Sequence, residues 1–268
     1  MRYFMQSNRQ TGSAINYGNN LSAGHSVNVG DVDLYYETYG EGEPFIILHG
    51  GGVGCAYEMG VFIDKLSQKF RVIIPSSRGH GRSGFGSAPY SYERKALDIF
   101  AVMQAEGIRK APILGFSDGA YTAYKMAISS PSMVSYLIAI GAGESIPGLH
   151  RVVVDYDELF ALDPEYFEQQ KKIMPEPDRW PSWMSMYGDF WNHELISKNV
   201  FMNIQCPTLF MAGEKDGNAP LDTVISAYKM TPNATLSIIA DAPHPCFIDY
   251  FTSVWDQVSR FVEKNRQS

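Results

Sequence analysis

APILGFSDGAYTAYKMAI, residues 111–128, reads as a strand, a sharp turn and a helix. The turn is Gly115-Phe116-Ser117-Asp118-Gly119, a GxSxG pentapeptide. The letters alone are a weak signal in a chain with 24 glycines. The context makes them specific. A strand-to-helix turn this sharp forces its central residue into strained backbone geometry, and small neighbours let the chain pass. The Ser117 hydroxyl is then held out at the carboxyl end of a sheet, where open α/β folds place their ligands. The Asp118 amide sits at a helix N-terminus, placed to donate to a developing oxyanion.

A serine acting as nucleophile at neutral pH needs a base, and histidine has the suitable pKa. Six histidines are available. His25 lies in an early hairpin. His49 and His80 lie in glycine-rich loops, and His150 and His193 in a segment without strand pattern. His244, in Asp241-Ala242-Pro243-His244-Pro245, follows the last strand pattern and opens the last helix. Its loop shares the carboxyl end of the sheet with Ser117. The supporting acid is expected from another loop on that face. Asp216, in Gly213-Glu214-Lys215-Asp216-Gly217, directly follows the apolar run TLFMAG, with Glu214 as the neighbouring alternative. Its task would be to fix the imidazole tautomer and stabilise its cation. The order Ser117, Asp216, His244 is the one expected when the nucleophile sits in a strand–turn–helix elbow.

A second glycine loop, His49-Gly50-Gly51-Gly52, follows the apolar run PFIIL. Without side chains its backbone approaches a substrate closely, and its amides become the functional groups. Gly51 is the expected second oxyanion donor, with Gly52 as its near alternative and a substrate contact. His49 reads as a structural hydrogen-bonding residue.

Around these loops the chain alternates strands and helices. HSVNV and DVDLYYETYG alternate apolar with polar residues about Gly30-Asp31, a hairpin signal. Buried-strand runs follow at PFIIL, FRVIIP, APIL, VSYLIAI, TLFMAG and ATLSII. Helical spacing is read at Tyr57–Gln68, Glu93–Glu106, Gly119–Ser129, Leu221–Met230 and Phe247–Lys264. This order predicts an α/β fold: a mostly parallel sheet, helices on both faces and antiparallel strands at one edge. Residues 25–143 and 201–268 form the expected core. Residues 1–24, rich in Gly, Asn and Ser, read as an N-terminal arm. Residues 144–200 interrupt the alternation and read as an inserted helical cap. Trp180, Trp183 and Trp191 within it are candidate substrate contacts.

Composition narrows the function classes. The 268 residues are 45% hydrophobic and 19% charged, an ordinary globular balance. The net charge of −7 lacks the cationic excess that a phosphate backbone requires, so nucleic acid is not an expected partner. No apolar run approaches the roughly 20 residues that span a bilayer, so no membrane partner is expected. MRYFMQSNRQ lacks the apolar centre of a signal peptide. Cys55, Cys206 and Cys246 are odd in number and scattered, without CxxC spacing. A reducing compartment, the cytoplasm, is expected, with no disulfide framework, no metal site and no cofactor.

With these residues in place, the chain resembles the α/β-hydrolase superfamily. The resemblance covers roughly Val27 to Lys264 outside the cap. It rests on HGGG (49–52), SSRGHGRS (76–83), GFSDGA (115–120), GEKD (213–216) and the His244 loop. It implies the α/β-hydrolase fold and a Ser–His–Asp hydrolase with a variable lid at 144–200. Two positions depart from the family pattern: Ser76 stands where Asp is usual, and Pro243 where Gly usually precedes the histidine. Ser117-Asp118-Gly119 is also similar to the elbow of amino-acid ester hydrolases of the valacyclovir-hydrolase kind. That similarity implies an Asp118 carboxylate binding a substrate ammonium. The competing reading is that Asp118 simply favours a helix N-terminus.

The expected activity is hydrolysis of small carboxylic esters or related amides through an acyl-enzyme. Carbon–carbon hydrolase, lactonase and perhydrolase chemistry would use the same triad. A hydrolase-fold ligand receptor with little turnover is the alternative of a different class.

Overall fold

In the computed structural model, which describes residues 1–7, 10, 12–148 and 154–266, strands and helices alternate along most of the chain. β1 (Gly24–Asn28) and β2 (Asp33–Tyr39) form the antiparallel hairpin. The apolar runs become β3 (Pro44–Leu48), β4 (Arg71–Pro75), β5 (Ala111–Phe116), β6 (Val134–Ile140), β7 (Thr208–Gly213) and β8 (Ala234–Ile239). The eight strands pair in the order β1-β2-β4-β3-β5-β6-β7-β8, and β3 to β8 run parallel. β2 joins β4 antiparallel, which places the hairpin at one edge.

The inner strands lack polar alternation because both of their faces are covered. Phe45 and Ile47 point into one apolar layer, which they share with Phe62 and Leu66 of α1 (Gly60–Leu66). Ile46 and Leu48 point into the other. Ile99 and Val102 of α2 (Tyr92–Ala105) and Ala120 and Tyr124 of α3 (Asp118–Ser129) close that layer. The register aligns the strand ends: Leu48 pairs with Gly115, Phe116 with Ile140, and Gly213 with Ile239. The loops after β3, β5, β6, β7 and β8 therefore open at the same edge of the sheet.

Between β6 and β7 the chain makes its excursion. Ser145 and Ile196 form an antiparallel bridge, with reciprocal N–H···O bonds of 2.8 Å, where the excursion leaves and returns. It holds α4 (Tyr156–Leu162), α5 (Pro164–Lys171) and α6 (Trp180–His193), and α7 (Lys198–Phe201) follows it. α6 buries Trp180, Trp183, Met184 and Tyr187, an i, i+3, i+4, i+7 stripe. α8 (Leu221–Met230) lies where its spacing predicts.

One expectation needs correction. The last helix divides into α9 (Cys246–Asp249) and α10 (Phe251–Arg266) at Tyr250. The first turn is held by Phe247, packed edge-on against Phe62 and Phe116, while α10 follows its own amphipathic face. The N-terminal arm is fastened to the body where it is described. Tyr17 is buried with its hydroxyl 2.5 Å from Asp64, and the buried Glu37 carboxylate accepts the Gly18 and Asn20 amides. Among the described residues no helix is long and apolar enough to cross a membrane.

Candidate active site

Ser117 has φ +51° and ψ −117°, a left-handed backbone for a residue with a side chain. Such strain persists where the surroundings over-determine it. Its amide donates to the Ile140 carbonyl at 2.8 Å, and its carbonyl accepts from Ala120 and Tyr121 as α3 begins. The flanking glycines are sterically required. A Cβ on Gly115 would lie 2.6 Å from the Ala120 nitrogen, and one on Gly119 would lie 2.4 Å from the Leu48 carbonyl oxygen.

His244 reaches both expected partners. Its Nε2 lies 2.9 Å from Ser117 Oγ, and its Nδ1 lies 2.9 and 2.8 Å from the two Asp216 oxygens. An ionised carboxylate only accepts, so Nδ1 carries the proton and Nε2 accepts from the serine. Asp216 is buried, and its Oδ1 also accepts the Asn218 and Ala219 amides, each at 2.8 Å. Glu214, the neighbouring alternative, is exposed and accepts the Asp241 amide instead. Gly141, at φ +63°, leaves room for the imidazole: a Cβ there would stand 3.0 Å from the ring. Pro243 does not prevent His244 from making either contact.

The other histidines are elsewhere. His25 is exposed and bonded to Thr38, and His193 is exposed beside the Asp189 carbonyl. His150 lies outside the described residues. His49 is buried: Ser77 N donates to its Nε2 at 3.0 Å, so its Nδ1 donates to the Gly50 carbonyl. That bond helps hold the Ser76 loop, with the Ser76 carbonyl accepting from Ser83 Oγ at 2.7 Å. Burial holds His80 down at about 3, and burial with the nearby His80 and Lys95 keeps His49 well below its usual value.

Ser117 and His244 open into a cavity of about 370 Å³. Gly51 and Gly52 line it, and Gly51 touches the cap: a Cβ there would fall 2.1 Å from the Tyr187 hydroxyl. Among the described residues neither the Gly51 nor the Asp118 amide has an intramolecular acceptor. Both remain available to an oxyanion beside Ser117. Trp191 also lines the cavity.

Trp180 and Trp183 do not line it. Trp180 stacks on Phe167 with ring centroids 4.6 Å apart, and Trp183 packs against His80 and Tyr187. They sit in the early turns of α6, which face α5 and the body, whereas its later turns overhang Ser117.

The Asp118 carboxylate is also engaged elsewhere. It is fully buried, ion-paired with Lys95 of α2, and accepts from the Tyr90 hydroxyl at 3.3 Å. Lys95 already neutralises its charge, so it is not a free anion awaiting a substrate ammonium.

Several cavity residues escape a linear reading. Tyr187 had a signal in its i+4 spacing from Trp183. Tyr3 and Phe4 come from an arm with no periodicity. Glu58 is brought in by the turn after the glycine loop. Its Oε1 accepts the Gly50 amide at 2.7 Å, and burial pushes its carboxyl up to about 8. Among the described residues, no group of three or more His, Cys, Asp or Glu converges as a metal site.

The sequence profile of the alpha/beta hydrolase fold family matches residues 43–172. A putative carbamate hydrolase RutD of Azorhizobium caulinodans is 29% identical over 153 residues, 56% of this chain; the match spans 57% of that relative, little more than half its length. A pimeloyl-(acyl-carrier protein) methyl ester esterase of Aliivibrio salmonicida is 24% identical over 262 residues, covering 86% of this chain and 96% of that one. Among solved structures, a meta-cleavage product hydrolase from Pseudomonas fluorescens IP01 superposes with a TM-score of 0.75 at 22% identity, over 91% of this chain and 99% of that one. Fold, elbow and profile agree on a hydrolase with the α/β-hydrolase fold.

Proposed function

We propose that the protein is a serine hydrolase that cleaves small carboxylic esters or related amides through an acyl-enzyme. The observation that carries this reading is the hydrogen-bonded line from Ser117 Oγ through His244 to Asp216. Ser117 attacks the substrate carbonyl while His244 Nε2 takes its proton. Asp216 holds the opposite nitrogen and stabilises the imidazolium. The amides of Gly51 and Asp118 hold the tetrahedral oxyanion. His244 then protonates the leaving group, and a water deprotonated by His244 attacks the acyl-enzyme to release the acid. The segment 144–200 acts as the lid, with Tyr187 and Trp191 over the reacting groups. Three free thiols support a reducing, cytoplasmic location.

The test is steady-state hydrolysis of p-nitrophenyl acyl esters by the native protein and by Ser117→Ala. Losing a triad nucleophile is expected to lower kcat by about 10⁴-fold or more. Equal activity in both proteins would place the site elsewhere. A native protein that binds these esters without turning them over would be a receptor. Turnover confined to ketone or lactone substrates would select the related chemistries.

A further inference from the structure

The reaction cavity is closed on one side by the N-terminal arm. Tyr3 and Phe4 belong to its lining, although more than a hundred residues separate them from Ser117 in sequence. Their backbone is fixed at several points. Arg2 pairs with Asp163 at 3.0 Å and Glu165 at 2.7 Å, and the Arg2 amide donates to Gln169 at 2.9 Å. The Met5 amide donates to the same Asp163 carboxylate at 2.7 Å. The Phe4 ring stands edge-on to Tyr166 and Phe167, 5.7 and 6.2 Å away. Tyr166 in turn donates to the Val53 carbonyl, beside the glycine loop.

A second cavity, of about 250 Å³, lies behind this wall. Tyr3, Glu58 and Ile248 line both cavities, so they form the partition between them. The backbone here is clamped on both flanks and the Phe4 ring is packed, and a packed ring does not yield cheaply to an apolar chain growing from the scissile carbonyl.

We propose that Tyr3 and Phe4 determine specificity: they set the upper length of the aliphatic chain the enzyme accepts, and Tyr3 separates the reaction cavity from the one beneath the arm. The proposal rests on Ser117 as the nucleophile, since its ester bond fixes where the chain begins. Truncating Tyr3 merges the cavities, and truncating Phe4 removes a stop.

The experiment compares kcat/KM across p-nitrophenyl esters from acetate to dodecanoate for the native enzyme, Tyr3→Ala and Phe4→Ala. Each variant is expected to raise the long-to-short ratio tenfold or more, chiefly through lower KM on the long esters. The same profile in all three proteins, or a proportional change at every length, would overturn the wall. Calorimetric binding of 1-alkanols of increasing length, in a Ser117→Ala background, reads the wall without turnover. The longest alkanol bound is expected to increase with Tyr3→Ala, and an unchanged limit overturns the proposal. Activity retained by Ser117→Ala overturns the nucleophile instead, so the two failures are distinguishable.

Discussion

Asp118 shows how one buried neighbour reassigns a charge. Its place after the nucleophile fits ammonium recognition, yet Lys95 reaches it from α2 inside the body. Neither member of this pair has solvent to fall back on: Lys95 is 3% exposed and Asp118 0%. Removing one partner of such a pair leaves an uncompensated charge and typically costs about 3–5 kcal/mol. Lys95→Met is therefore expected to destabilise by that order, measured by urea unfolding. Adding Asp118→Asn should recover much of the loss, because the orphaned charge disappears. Equal stability of Lys95→Met and the native protein would contradict the buried pair.

At the scale of elements, α6 has two parts. Its first turns carry Trp180 and Trp183 into an aromatic cluster with Phe167, Phe85 and His80. Its last turns carry Tyr187 and Trp191 over the cavity. Trp180→Ala removes a ring that is 3% exposed and is expected to lower stability by about 3–5 kcal/mol. Trp191 is only partly buried, so Trp191→Ala should change KM and chain-length preference more than the melting temperature. Thermal melts and kinetics on both variants check the division. The reverse pattern, with Trp180→Ala altering KM most, would move the substrate contact to the start of the helix.

At the scale of the molecule, two buried histidines and the half-buried Glu58 shape stability against pH. His49 and His80 are held neutral in the fold, so their contribution is complete above an unfolded pKa of about 6.5 and is lost as pH falls toward the folded value near 3 for His80. Glu58 runs the other way. Its folded value of about 8 exceeds the unfolded one, so its burial weakens the fold as pH rises from about 4.5 to 8. Between about pH 4.5 and 6.5 the two histidines outweigh the carboxyl, so the summed contribution rises with pH there. Above it only Glu58 acts among the three. Their summed contribution therefore peaks near pH 6.5. Urea midpoints at pH 5, 6.5 and 8 test this, and Glu58→Gln should flatten the upper limb. An upper limb that persists in Glu58→Gln would mean the carboxyl is not the cause.

What depends on local period and turn chemistry was legible in the linear chain. Apolar runs of strand length, glycines at sharp turns and the order of Ser117, Asp216 and His244 specify the sheet and the loops that meet at its end. Once strands run parallel in register, those loops must share an edge, so residues 127 apart become neighbours. Tertiary packing alone decided which side chains finish the site. Trp180, Trp183 and Trp191 are alike as letters, and only the docking of α6 separates packing from lining. Asp118 looks free until α2 brings Lys95 against it. Tyr3, Phe4 and Glu58 carry no periodic signal, because the arm and the loop before α1 take their positions from long-range contacts rather than from their own propensity. Local sequence fixes backbone shape, whereas the occupant of a cavity wall depends on which distant segment supplies the complementary surface.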